Sequence, residues 1–139
     1  MERETIVAVK GIILWGGEIL IIRRCRNDRH APGAWEFAGG RIEFGEAPEH
    51  ALRREIAEET GLSATIERIL YAADFRRTPN QHVVVLTYLC GVSADSHDVN
   101  LSEEHEDFLW VTSPQLSAYL YPPIYEDLLH YDVLKYLEK

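Results

Sequence analysis

The chain has 139 residues and a formal net charge of -9, long enough to bury one real hydrophobic core and too acidic for a surface that coats nucleic acid. A polyanionic ligand must therefore find local positive charge or a metal ion. Two cysteines, Cys25 and Cys90, allow at most one bridge and give no disulfide framework, so both read as reduced structural thiols.

The opening Met1-Glu2-Arg3-Glu4 is charged and runs straight into strand-like sequence, unlike a signal peptide, and no apolar run approaches the roughly 20 residues of a membrane span. The expectation is a cytoplasmic protein with neither a membrane nor a nucleic acid partner. Residues 5–14 and 18–24 are rich in Ile, Val and Leu and flank Trp15-Gly16-Gly17, the pattern of a β-hairpin. The polar stretch 26–33 ends in the loop signal Pro32-Gly33. Arg23, Arg24, Arg26, Arg29 and His30 gather positive charge there, and strand alternation turns Arg23 and Arg24 to opposite sides.

Pro48 suits the first turn of a helix, where its missing N–H costs nothing, and Gly61 can supply the left-handed residue that stops it, with Ala51, Leu52 and Ile56 on the apolar side. At about 100° per residue, Glu55, Glu58 and Glu59 fall within an arc of roughly 100°. That arrangement is costly. Like charges at these spacings repel by roughly 0.2–0.5 kcal/mol per pair, and acids near a helix C-terminus oppose its dipole by up to about 1 kcal/mol. A bound cation would remove both penalties, and oxygen-only ligands favour Mg²⁺ or Mn²⁺. The plain alternative is a solvated acidic face. His50 lies about 140° from Glu55 and turns away from the cluster.

Two further strands are expected at 64–75 and 82–92, joined by a turn-prone 76–81. Residues 93–107 read as an acidic loop before a short strand at 108–112. From Pro122 and Pro123 onward, Ile124, Leu128, Leu129, Val133, Leu134 and Leu137 recur at helical spacing and predict one terminal helix packed on the sheet. With no repeat, low-complexity tract or linker, residues 1–139 are expected to form a single α/β domain.

The residues Gly40, Glu46, Arg54, Glu55, Ile56, Glu58, Glu59, Gly61 and Leu62 match a longer pattern: Gly, five residues, Glu, seven residues, Arg-Glu-aliphatic, one residue, Glu-Glu, one residue, Gly-aliphatic. This resembles the Nudix box at every specified position. The box spans roughly a sixth of the chain, and Trp35-Glu36-Phe37-Ala38-Gly39-Gly40 extends the similarity toward MutT-like members, which usually carry Pro at Ala38.

The resemblance implies a Nudix α/β/α sandwich with a mixed sheet, and a hydrolase that cleaves a phosphoanhydride with Mg²⁺, or Mn²⁺ in its place. It assigns metal binding to Glu55, Glu58, Glu59, the Gly39 carbonyl and Glu104, six residues before Trp110. One of these carboxylates takes the proton from water, with Arg54 orienting Glu58. Arg24 is the phosphate-binding candidate, with His30 beside it. Trp35, Phe37, Phe75, His82 and Tyr125 are candidates for stacking on a base, although aromatic residues on strands and helices more often serve the core. His105 reads as structural or substrate-orienting, and Glu46 and Gly40 as supports of the loop and helix.

The expected substrate is a nucleoside triphosphate, cleaved to monophosphate and pyrophosphate. Enzymes of this type that clean oxidised guanine nucleotides carry an Asn shortly after the paired prolines, where this chain has Ile124 and Tyr125. The alternatives are ADP-ribose, another nucleotide sugar or a dinucleoside polyphosphate; Pro79 lies near, not on, the proline position of ADP-ribose-type members. A reading from another class is a non-catalytic nucleotide-binding module, which would usually have lost box carboxylates. A homodimer is one assembly that the resemblance allows.

Overall fold

The structure is a computed structural model that describes residues 2–93 and 98–138. Strand β1 (Glu4–Trp15) turns into β2 (Glu18–Arg24) through Gly16 and Gly17, whose φ values of 56° and 81° suit the two-residue turn that matches strand twist. The short strands β3 (Trp35–Glu36) and β4 (Ala38–Arg41) lead to helix α1 (Pro48–Thr60). Then follow β5 (Ala64–Thr78), β6 (Gln81–Val92), β7 (His105–Val111), and helices α2 (Leu116–Tyr119) and α3 (Pro122–His130).

The sheet is mixed. Its order is β3-β2-β1-β6-β5, with β4 also on β1 and β7 on β2. Among the described strands β1 and β6 pair in parallel, which needs a long connection, here the whole of residues 16–80 from β2 through α1 to β5. The hairpin splays: β2 pairs with β1 only at Leu14 and Trp15, and further along β1 residues 8–11 take β4 as their neighbour. The glycine turn before the box is thus set against the central strand.

Alternation sends side chains into two cores. Val9, Ile13, Leu20, Ile22, Tyr88 and Cys90 meet Ala51, Leu52 and Ile56 of α1 on one face. Ile12, Ile19, Ile21 and Leu89 meet Leu116, Leu120 and Leu128 on the other. This is the expected α/β sandwich with helices on both sides of a mixed sheet, and no helix among the described residues is long and apolar enough to cross a membrane.

Three expectations change. Strands β5 and β6 continue to Thr78 and from Gln81, leaving only Pro79 and Asn80 as the turn, because cross-strand pairing outweighs the turn preference of the flanking polar residues. The acidic stretch expected as a loop over 93–107 yields its last three residues to β7, which pairs with β2, while 94–97 lie outside the described residues, as do Met1 of the opening segment and Lys139. The terminal helix stops at His130, and Asp132 turns at φ 54°. Leu128, Val133 and Leu137 are nevertheless all buried, so the helical spacing reported one buried side and not one continuous helix.

Ile56 is fully buried, and α1 approaches β1 so closely that a Cβ on Gly11 would stand 3.0 Å from its Cδ1. Ile56→Ala is expected to cost about 2–5 kcal/mol. Equilibrium urea unfolding should show a lower midpoint with an unchanged slope.

Candidate active site

Helix α1 is anchored at the end that carries the acids. Its left-handed cap Gly61 donates to Ala57, while Asn100 and Ser102 donate to the carbonyls of Thr60 and Glu59 at 2.8 and 3.2 Å. These bonds satisfy the open end of the helix and dock the loop before β7 against it. On its other side Cys25 N–H donates to Glu104 O at 3.1 Å, so exposed Glu104 sits on a loop held from both flanks.

The glycine turn closes onto the same helix. Gly39 adopts φ 148°, and a Cβ there would collide with the main chain of Val9 and Lys10. Its N–H donates to Glu59 Oε1 at 2.9 Å. A Cβ on Gly40 would run into the Glu55 carboxylate. Two adjacent glycines therefore let the main chain lie directly against two of the three box carboxylates.

Arg54 organises the third. Its guanidinium holds Glu46 through Nε and Nη2 at 2.7 and 2.9 Å, and reaches Glu55 Oε1 at 2.9 Å, Glu58 Oε1 at 3.3 Å and Arg41 O at 3.2 Å. Its fork holds Glu46 near 2, well below the usual carboxylate range. Glu46 also accepts from Glu43 N–H and from His50, which closes the loop into the helix. Glu58 keeps 57% of its side chain in solvent, against 16% for Glu55.

Behind the turn lies a second buried carboxylate. Glu36 receives Lys10 Nζ at 3.1 Å, Arg24 Nη1 at 3.1 Å and His105 Nε2 at 2.8 Å, so three strands converge on it. Burial alone would raise its pKa, yet Lys10, His105 and Arg24 bring it down to about 2. Glu59 goes the other way. Burial pushes it up to about 7 despite the Lys10 ammonium and the Gly39 N–H.

These observations have a counterpart in known proteins. The model of the NUDIX domain family matches residues 5–132. The chain belongs to the Nudix family. It is 33% identical over 143 residues to a protein named nucleoside triphosphatase NudI from Escherichia coli O17:K52:H18, covering 96% of this chain and 90% of that one. Its fold matches the crystal structure of a MutT protein from Methanosarcina mazei Go1 with a TM-score of 0.82 at 27% identity, covering 95% and 96% of the two chains. It also matches the solution structure of the Escherichia coli ORF135 protein, with a TM-score of 0.74 at 27% identity over 94% and 93% of the chains. This is a MutT-like Nudix hydrolase, an enzyme of phosphoanhydrides.

Nudix hydrolases use divalent metal ions, and the donors of this chain suit one. All are oxygens, the lack of a Cβ on Gly40 lets the Glu55 carboxylate lie against the main chain of the turn, and Glu59 is buried with its pKa raised by that burial. Among the described residues no three acidic, imidazole or thiol groups already form a cage. Glu55 and Glu58 are drawn to Arg54 and Glu59 to the Gly39 N–H.

The substrate candidates are placed unequally. Arg24 is tied to Asp28 at 2.9 Å and to Glu36, with its pKa raised. His30 is exposed in the adjoining loop, where its N–H donates to Asp28. Phe37 is corrected: at 2% exposure it packs in the core with Ile21 and Leu116 and offers no face to a base. His82 is also not brought to the site. It pairs with Asp74 at 2.6 Å beside Thr5, five residues along β1 from Lys10 or about 16 Å.

Sequence reasoning passed over Glu36 and Lys10. Their only signal was two charges inside otherwise apolar strands, which require partners when buried.

Glu59 gives a pH prediction for metal-free protein. Its folded pKa of about 7 exceeds the ordinary 4.5, so the unfolded chain ionises first as pH rises. Its contribution is therefore present below 4.5 and lost by about 7. Urea midpoints in chelator should fall across that window, and Glu59→Gln should remove that part of the slope.

Proposed function

We propose that the chain is a Mg²⁺-dependent nucleoside triphosphate pyrophosphohydrolase that releases a nucleoside monophosphate and pyrophosphate, with Mn²⁺ able to replace Mg²⁺. The observation that carries this reading is the Gly39–Gly40 turn pressed against Glu55 and Glu59, in a chain similar along nearly its whole length to a protein named nucleoside triphosphatase.

A phosphoanhydride resists attack because its negative oxygens repel a nucleophile. When bound, divalent ions acidify water and neutralise phosphate charge. The Gly39 carbonyl, Glu55, Glu58, Glu59 and Glu104 are the proposed donors that hold them. Arg54 fixes Glu55 and Glu58 through its hydrogen bonds, so that neither has to be ordered at the moment of reaction. The proton of the attacking water goes to one of these carboxylates. Glu58, with most of its side chain in solvent, and Glu104 on its docked loop are both accessible for that task.

Arg24 supplies positive charge for the phosphates in an acidic chain, with His30 beside it in the adjoining loop. Arg24 does so from a position already fixed by Glu36 and Asp28. A small nucleotide as partner and a cytoplasmic setting belong to the same reading.

The test is product analysis by chromatography with mass detection, using common and oxidised (d)NTPs, ADP-ribose, nucleotide sugars and dinucleoside polyphosphates. Triphosphates should give monophosphate and pyrophosphate only with the metal present, and Glu58→Gln should lower kcat at least about 10²-fold. Cleavage confined to ADP-ribose or another linked diphosphate would overturn the substrate assignment. No turnover on any compound would favour a binding module.

A further inference from the structure

Lys10 is a charged residue in the middle of the central strand β1. It stands between Val9 and Ile12, both fully buried, and β1 is flanked there by Thr87 of β6 and Gly39 of β4. An ammonium carries three donors and no acceptor. Here all three have a partner: Glu36 Oε1 at 3.1 Å, Phe37 O at 3.3 Å and Gly39 O at 3.5 Å.

Glu36 would remain paired without Lys10, because Arg24 and His105 also bind it. The two carbonyls are different. Phe37 O and Gly39 O bracket Ala38, and one ammonium reaching both fixes the orientation of the peptides between them. The same Gly39 residue turns its N–H to Glu59 Oε1. A carbonyl oxygen has two lone pairs, so the bond from Lys10 leaves Gly39 O able to accept another donor or an ion.

We propose that Lys10 is a positioning residue of the hydrolytic site, the ammonium whose three hydrogen bonds set the two peptide groups that flank the Gly39 Cα, so that the Gly39 N–H meets Glu59 and the Gly39 carbonyl remains presented beside the box carboxylates. Neither the box nor its flanking motif contains this lysine. It acts from the opposite strand, through the backbone of the turn. Its effect on turnover rests on the hydrolase reading above; its effect on the turn does not.

The experiment compares the metal-free ¹⁵N-labelled protein with Lys10→Met and Lys10→Arg. The first removes the charge. The second keeps it on a planar fork that cannot converge on three acceptors as an ammonium does. The Gly39 amide resonance should move from its wild-type position in both variants, and its hydrogen exchange should speed up roughly tenfold or more as the bond to Glu59 loosens. With the thermal midpoint held close to wild type, kcat on triphosphates should fall about 10–100-fold while KM stays nearly constant, the signature of misplacement in the transition state.

A Gly39 resonance unchanged in either folded variant would overturn the proposal. So would a displaced resonance with unchanged kcat. If Lys10→Met does not fold, Lys10→Arg decides by the same two readouts. If the wild-type protein turns over no nucleotide, the hydrolase reading falls, and the Gly39 resonance still decides where Lys10 acts.

Discussion

The distance between the box helix and the central strand governs the site, and it is set by main-chain atoms. At Gly11 α1 packs so closely on β1 that a Cβ would stand 3.0 Å from Ile56 Cδ1, and at Gly39 the turn lies on Val9 and Lys10 so tightly that a Cβ cannot be accommodated. One step further, Gly40 faces the Glu55 carboxylate. Interiors this dense transmit displacement and do not absorb it. Glu55 and Glu59 are therefore packed directly on the turn and the strand.

The electrostatics divide along the same line. Glu36 and Glu59 are both about 6% exposed and both lie next to the turn, yet their carboxyls diverge to about 2 and about 7. Glu36 has three positive or potentially positive partners and serves as the knot that joins β1, β2 and β7 behind the turn. Glu59 has the Gly39 amide and a more distant ammonium, which do not offset its burial. Environments that drive paired acids apart are a recurring feature of active sites. Here Glu36 is held as an ion by its partners, while burial favours the protonated form of Glu59.

Much of this was legible in the sequence where the determinants are local. Trp15-Gly16-Gly17 between apolar runs identified the hairpin, and Pro48 in the first turn and Gly61 as the stop marked the two ends of α1. The spacing of Glu55, Glu58 and Glu59 gave the acidic face. Features fixed by distant pairing were not legible. Lys10 and Glu36 are 26 residues apart, and Glu36 and His105 are 69 apart, so no window along the chain joins them. The acidic run before Trp110 concealed the start of β7 because pairing with β2, not propensity, orders His105 to Asp107. Phe37 was misread for a related reason: at the crossing between β3 and β4 consecutive residues Glu36 and Phe37 are both buried, against simple alternation. Arg24 carries both readings at once, a cation placed near the turn and a partner already held by Asp28 and Glu36.

The central claim is that the turn at Gly39 and the acidic face of α1 together hold the divalent ion. Titrating ¹⁵N-labelled protein with Mn²⁺ tests it directly, since the paramagnetic ion broadens the amide resonances nearest to it. Gly39, Gly40 and residues 55–59 should broaden first, before the exposed acids elsewhere on this acidic chain. First broadening at another acidic surface, with Gly39 and Gly40 left sharp, would contradict it.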